Sequence, residues 1–374
     1  MKKITVLHLI DSLPREGAEM VIYDLIQQGD RSGFNYLVCS LTRGGGVGEM
    51  LVRIGVPVFL LNRHSRWDRK AFRGLLDIIR REKIDIIHTH LFSSHLWGAL
   101  GALFSSRNVC LFRTEHNMSE WKNSGRRLID RFLLSRAERV VAVSDPVARS
   151  LAEQCRCPER KLTVIENGLN LNRLKPASHP QKLREELGVE EEDYLVGTAS
   201  ALTEKKGHRF LLAAAEKILK KRTNVYFLLM GEGELEAELR SAISEKNLDN
   251  RVFLLGSRSD ATEIMSLLDV FVLSSIREGL SIALLEAMAL GRVPVVTAVG
   301  GSVDLIEDGI SGFLVEPARP AALAEGIERV LADSELKEKM GEAARKKVAD
   351  GFDMAAVTRA YEDEYRKLIS RLRD

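Results

Sequence analysis

A chain of 374 residues exceeds what one hydrophobic core usually organises, so two domains are expected. With 45% apolar and 29% charged residues and only 9 prolines, the composition is that of a soluble globular protein and excludes extensive disorder. The 55 basic and 53 acidic residues leave a formal charge of +2. That balance argues against a nucleic-acid binder held by charge, because such proteins need a cationic excess to displace counterions.

The first apolar run, ITVLHLI (4–10), stops at Asp11 with no small-residue cleavage site behind it, and reads as a strand rather than a leader. Strand-length runs recur at 34–40, 56–61, 84–90, 109–114, 139–144 and 162–167, with helical patterns such as Ala18–Gln28 and Arg69–Arg81 between them. Continuous apolar strands alternating with helices predict a parallel sheet covered on both faces. Residues 175–193 carry two prolines and many charges but little strand character, and mark the domain boundary. A second series follows at 194–200, 225–231, 251–256, 270–275, 293–298 and 312–316, with helices such as Arg209–Lys221 and Ala283–Leu290. The tail from Ser334 reads as amphipathic helix throughout. The expected fold is therefore α/β, with two Rossmann-like, doubly wound parallel-sheet domains at 1–178 and 179–355 facing a central cleft. Residues 356–374 form a closing helix on the first domain. In such sheets ligands bind beyond the carboxyl ends of the strands.

No run approaches the ~18 apolar residues of a spanning helix. Cys39, Cys110, Cys155 and Cys157 are too scattered for a disulfide framework, which fits a reducing cytoplasm.

The densest functional signal is Arg277-Glu278-Gly279-Leu280-Ser281-Ile282 and the helix that follows, directly after the strand 270–275. A strand passing through a glycine turn into a helix leaves N–H groups unpaired at the positive end of the helix dipole. Here they belong to Leu280, Ser281 and Ile282, and a diphosphate suits them. Carboxylates do not bind phosphate but accept hydrogen bonds from sugar hydroxyls, so Glu278 and Glu286 suit the sugars on either side. Either glutamate alone reads as an ordinary surface acid. Glu286, however, is flanked by Leu284-Leu285 and Ala287-Met288, where an unpaired charge is costly.

The stretch from Ser275 to Val295, with seven residues between its two glutamates, resembles the signature of the retaining glycosyltransferases of family 4, which have the GT-B fold. So does Gly300-Gly301-Ser302-Val303-Asp304, continuing to Val315. The resemblance runs over essentially the whole chain, taking in Glu16-Gly17-Ala18-Glu19 after the first strand, IDIIHTH (84–90), RTEHN (113–117) and VIENGLN (164–170). It implies that Glu286 binds the ribose hydroxyls of a nucleoside diphosphate sugar and that Glu278 contacts the donor sugar. It further implies that Lys206 holds the diphosphate and that His116 hydrogen-bonds the transferred sugar. Gly17, where backbone can approach phosphate closely, Gly279, Leu280, Ser281 and Ile282 complete the donor-binding set. Ala201 departs from the pattern, standing five positions before Lys206 where the family commonly has arginine. Arg258 or Lys205 is the candidate replacement cation. Asp304 and Glu16 are milder departures.

Four of the 8 histidines are His88, His90, His95 and His116. His88 and His90 are expected on opposite faces of their strand, with only one of them facing the cleft. No Cys or carboxylate spacing completes a zinc site around this group, and no Asp-x-Asp occurs to hold Mg²⁺, so no metal is expected. Residues 1–175 hold 28 basic against 18 acidic side chains, a net +10 that leaves −8 for the rest. The stretch 121–139 mixes Trp121, Phe132 and leucines with five arginines. Such a helix lies on an anionic membrane, or else forms a solvated face or a wall turned to phosphates.

The expected activity is metal-independent, cofactor-free retaining transfer of a hexosyl-type sugar from a nucleoside diphosphate donor, UDP-sugar foremost. The acceptor is a hydroxyl on a glycan or lipid-linked glycan of cell-surface polysaccharide synthesis. The expected location is cytoplasmic, with peripheral contact to the inner face of the membrane and no nucleic-acid partner. Two alternatives stand beside it: a nucleotide-sugar epimerase of the same architecture, and a catalytically decayed nucleotide-sugar-binding subunit, to which Ala201 lends weight.

Overall fold

The computed structural model describes residues 3–118 and 124–373. The chain forms two compact units, one of residues 1–168 with 354–374 and one of residues 169–353. The division falls after Gly168 rather than after residue 178.

The first unit alternates strands and helices: β1 (Ile4–Ser12), α1 (Gly17–Gln28), β2 (Phe34–Arg43), α2 (Gly46–Arg53), β3 (Val58–Leu60), α3 (Arg69–Arg81) and β4 (Ile86–His90). It continues with α4 (Phe92–Phe104), β5 (Cys110–Glu115), α5 (Ser124–Arg136), β6 (Arg139–Ala142), α6 (Asp145–Cys155) and β7 (Leu162–Val164). The seven strands lie in the order β3-β2-β1-β4-β5-β6-β7, and all pairs are parallel. Val6, Leu7, Leu9, Ile10, Ile86 and Ile87 are fully buried, as helices on both faces require.

The second unit contains α7 (Pro180–Leu187), β8 (Tyr194–Ala199), α8 (His208–Leu219), β9 (Val225–Met230), α9 (Glu236–Glu245), β10 (Val252–Gly256) and α10 (Ala261–Met265). It ends with β11 (Val270–Leu273), α11 (Ile282–Ala289), β12 (Val293–Thr297), α12 (Ser302–Leu305), β13 (Phe313–Val315), α13 (Pro320–Ala332) and α14 (Ser334–Gly351). Its parallel sheet runs β10-β9-β8-β11-β12-β13. Strand order reverses beside β1 and β4 in the first unit and beside β8 and β11 in the second. These are the switch points where loops diverge and leave a crevice.

The tail is not one helix. It breaks between α14 and α15 (Met354–Arg373), where the Leu169 N–H donates to Phe352 O at 2.8 Å and Leu169 bridges to Asp353. Amphipathic periodicity continues across the break, so the pattern alone conceals it. The helix α15 belongs to the first unit, where Tyr36 Oη donates to Glu362 Oε1 at 2.7 Å and Arg139 pairs with Glu364 at 2.6 Å. Among the described residues no helix is long and apolar enough to cross a membrane. All four cysteines are buried thiols outside any disulfide.

Helix α5 is tied to the sheet by charge: Arg113 of β5, wholly buried, pairs with Asp130 of α5 at 2.5 Å and with Glu115. Replacing Arg113 by alanine removes the buried cation that Asp130 and Glu115 share. A loss of about 3–5 kcal/mol in first-unit stability is expected, read from the denaturant midpoint; a loss below about 1 kcal/mol would refute this role.

Candidate functional site

In the second unit the crossover from β8 to α8 is a short turn, Glu204–Lys206, ended by Gly207 at φ +64°. A Cβ at Gly207 would lie 2.2 Å from Ser274 O, so only glycine lets this turn press against the end of β11. Ser274 Oγ donates to Lys206 O at 3.0 Å, securing the turn from the other side. Lys206 Nζ is thereby delivered to the Glu278 carboxylate, to which Ser275 Oγ also donates at 3.3 Å. The two charges, drawn from β8 and β11, meet at the switch point of this sheet.

Burial pushes the Glu278 carboxyl up, but the Lys206 ammonium, by charge and hydrogen bond, together with Lys205 and the Gly279 N–H, holds the group below its ordinary range. Gly300, at φ +53°, approaches so closely that a Cβ would lie 2.1 Å from Glu278 O. The Gly301 N–H donates to Gly279 O at 2.5 Å. Helix α11 starts here with Leu280, Ser281 and Ile282 all buried, and Ser281 Oγ accepts from the Leu284 N–H at 3.4 Å as its N-cap.

Glu286, one turn further on, accepts from Arg173 Nη2 at 2.9 Å. Burial raises the Glu286 carboxyl, and Arg173 offsets part of that rise. The partner that Glu286 needs in its apolar setting thus comes from 113 positions earlier in the chain, which no local spacing reveals. Arg258 sits beyond β10 and is engaged bidentately by Asp260 at 2.8 and 2.7 Å. At Ala201 the backbone carbonyl meets His208 Nε2 at 3.1 Å. Gly17 is the exposed first residue of α1, after the carboxyl end of β1.

His88 and His90 are not on opposite faces. Two residues apart on a strand means the same face, and their ring centroids are 4.1 Å apart. His8, passed over in the sequence because it reads as part of a core strand, joins them from β1, where it pairs in register with His88. These three histidines place one ring nitrogen each within 4.8 Å of one another. That grouping escapes a search for cysteine or carboxylate spacing. Hydrogen bonds already engage the rings: His8 Nδ1 to His90 Nε2 at 3.0 Å, His90 Nδ1 to His116 Nε2 at 3.1 Å, and His88 to Tyr365 Oη and Thr114 Oγ1 at 2.6 and 2.8 Å. His95 bonds Thr89 Oγ1 at 3.0 Å. Trp121 lies outside the described residues.

The family described as Glycosyl transferases group 1 matches residues 180–347, and Glycosyltransferase Family 4 matches residues 15–173. The chain belongs to the family 4 type glycosyltransferases. It is 26% identical over 324 residues to the UDP-Gal:alpha-D-GlcNAc-diphosphoundecaprenol alpha-1,3-galactosyltransferase of Escherichia coli, covering 84% of this chain and 83% of that protein. To the N-acetyl-alpha-D-glucosaminyl L-malate synthase of Bacillus anthracis it is 25% identical, covering 83% and 82%. The crystal structure of Anabaena HepE in complex with UDP-glucose superposes with a TM-score of 0.87 at 24% identity, covering 97% of this chain and 100% of that one. The fold of this glycosyltransferase is GT-B.

The pairing of Lys206 with Glu278 has a pH signature. A carboxyl held low by a cation stabilises the fold above its unfolded pKa, and that contribution is lost as pH falls through the folded value. In Lys206→Met, burial, the largest influence on this carboxyl, faces only the weaker pull of Lys205 and the Gly279 N–H, so the folded pKa rises above the unfolded one and the sign reverses. Acidification from pH 7 to 5 is expected to raise the melting temperature of Lys206→Met relative to wild type. An unchanged difference across that range would show that Glu278 does not depend on Lys206.

Proposed function

We propose that this glycosyltransferase moves a sugar, with retention at the anomeric carbon, from a UDP-sugar to a hydroxyl of a glycan or lipid-linked glycan in cell-surface polysaccharide synthesis. The observation that carries the reading is the Lys206–Glu278 pair at the β8–β11 switch point. It offers one cation for a diphosphate and one ionised carboxylate for a sugar hydroxyl, ahead of a helix N-terminus. The UDP-Gal-dependent galactosyltransferase of E. coli and the HepE complex with UDP-glucose support the choice of UDP.

In this reading Glu286 receives the ribose hydroxyls and Lys206 the diphosphate. The N–H groups of Leu280, Ser281 and Ile282, which follow the Gly279 turn, balance its charge. Glu278 and His116 hydrogen-bond the transferred sugar, and Gly17 allows backbone to approach phosphate. Arg258, being held by Asp260, contributes less than its position suggests, so Lys206 and the helix carry the leaving group without a metal. The acceptor oxygen bonds to the anomeric carbon on the face from which the diphosphate leaves, the bond from that carbon to phosphate oxygen breaks, and the acceptor proton passes to the departing oxygen.

A charge-assisted hydrogen bond contributes about 1.5–3 kcal/mol, so Glu286→Ala and Lys206→Ala are each expected to lower kcat/KM roughly 10- to 150-fold. Both should also weaken UDP binding in calorimetry while the variants stay folded by circular dichroism. The product glycoside should keep the anomeric configuration of the donor by NMR, and turnover should persist in EDTA. Inverted product, or interconversion of nucleotide sugars without acceptor, would overturn the reading.

Peripheral contact with an anionic membrane completes the proposal. Leu103 and Phe104 at the end of α4 and Leu128, Ile129 and Phe132 on α5 are exposed, the phenylalanines by 65% and 59%, and the two helices pack together. Exposed Arg131 and Arg136 lie among them, Arg136 over the Phe132 ring at 5.1 Å. Apolar side chains ringed by arginine match an acyl boundary beneath anionic headgroups. Sedimentation with phosphatidylglycerol vesicles is expected at low salt, weakening at high salt, and Phe132→Glu should abolish it. Wild-type protein staying in the supernatant at low salt would remove the idea.

A further inference from the structure

His8, His90 and His116 form one hydrogen-bonded row, buried throughout, that starts inside the sheet and ends beyond β5. A neutral imidazole carries a single N–H, so each contact in the row needs one nitrogen to donate and the other to accept. His90 uses both ring nitrogens and must therefore donate at one and accept at the other. The row consequently has only two arrangements, and setting the proton on any member sets all three.

The buried end decides between them. His8 Nε2 is buried with no hydrogen-bonding partner among the described residues. Orphaned N–H groups are rarer in protein interiors than under-satisfied acceptors, so the proton belongs on Nδ1 of His8. His8 Nδ1 then donates to His90 Nε2, and His90 Nδ1 donates to His116 Nε2. His116 is left with its proton on Nδ1, which, unlike His8 Nε2, is not an atom sealed in the interior without a partner.

We propose that His8 and His90 are positioning residues that hold His116 as a fixed neutral hydrogen-bond donor through Nδ1, with no lone pair free to take a proton. For transfer, which rests on the proposed function, His116 then donates to a sugar oxygen and does not act as the base. Neutrality of the row is supported by burial, which lowers His8 to about 3 and His116 to about 4, Glu115 offsetting part of the latter, and takes His90 well below its ordinary range. The titratable groups facing the row are His88 beside His8 and His90, Tyr36 beside His8, Tyr361 and Tyr365 beyond His88, and Glu115 next to His116.

Long-range ¹H–¹⁵N spectra of histidine-labelled full-length protein, with His116 assigned by loss of its signals in His116→Asn, read the tautomer without any substrate. The expected result at pH 7 is an Nδ1–H His116, unchanged down to pH 5. An Nε2–H tautomer, or an imidazolium at pH 7, would overturn the proposal whatever the enzyme transfers. His8→Leu removes the donor that orders the row and should give a mixed His116 tautomer with kcat lowered about tenfold. His8→Asn supplies an amide N–H in its place and should restore the single tautomer and most of kcat. Equal effects of the two variants on the His116 signals would show that His8 acts only by packing.

Discussion

A parallel strand buried on both faces has no solvent side on which to carry chemistry. Its backbone is satisfied by its neighbours and its side chains by apolar contact, so polar function is displaced to the ends of the strands. In both units of this glycosyltransferase that constraint places the candidate groups. Lys206 follows β8, Glu278 follows β11 and Glu286 lies on the helix leaving that turn, while Gly17 follows β1 and His116 follows β5. Close packing of the turns themselves, at Gly207 against Ser274 and at Gly300 against Glu278, holds these ends in place.

Polar groups that do lie inside are joined to one another. Arg113 is shared by Asp130 and Glu115, Lys206 is joined to Glu278, Arg173 to Glu286, and the histidines of β1 and β4 to one another and to Tyr365 of α15. Low dielectric makes an isolated charge there costly and makes each partner decisive for protonation. The two glutamates of one motif consequently diverge: Glu278 is held below its ordinary range by Lys206, whereas Glu286 lies above it because Arg173 offsets only part of the effect of burial. One motif thus supplies a firmly ionised carboxylate and a more readily protonated one.

The strands were legible because continuous runs such as ITVLHLI and VFVLSS leave a buried strand as the simplest reading, and alternation with helices then implies parallel pairing. Gly279 to Ile282 were legible because a glycine turn between strand and helix is a local pattern. The break between α14 and α15 was not, since amphipathic periodicity runs through it and only the backbone pairing of Leu169 with Phe352 reveals it. Nor was the shared face of His88 and His90 drawn from their spacing, although the two-residue period of a strand contains it.

What the sequence by itself determined is the order of elements, the turns that end the strands and the residue types placed there, all consequences of short-range periodicity and backbone geometry. Tertiary structure alone decided which charges meet. Arg173 reaches Glu286 across 113 positions, Tyr365 reaches His88 across 277, and His8 reaches His90 across 82. Such pairings depend on where strand order reverses and where the chain returns through α15. Local propensity carries no record of either, because a side chain's partner in a packed core is set by the fold's topology rather than by its neighbours in sequence.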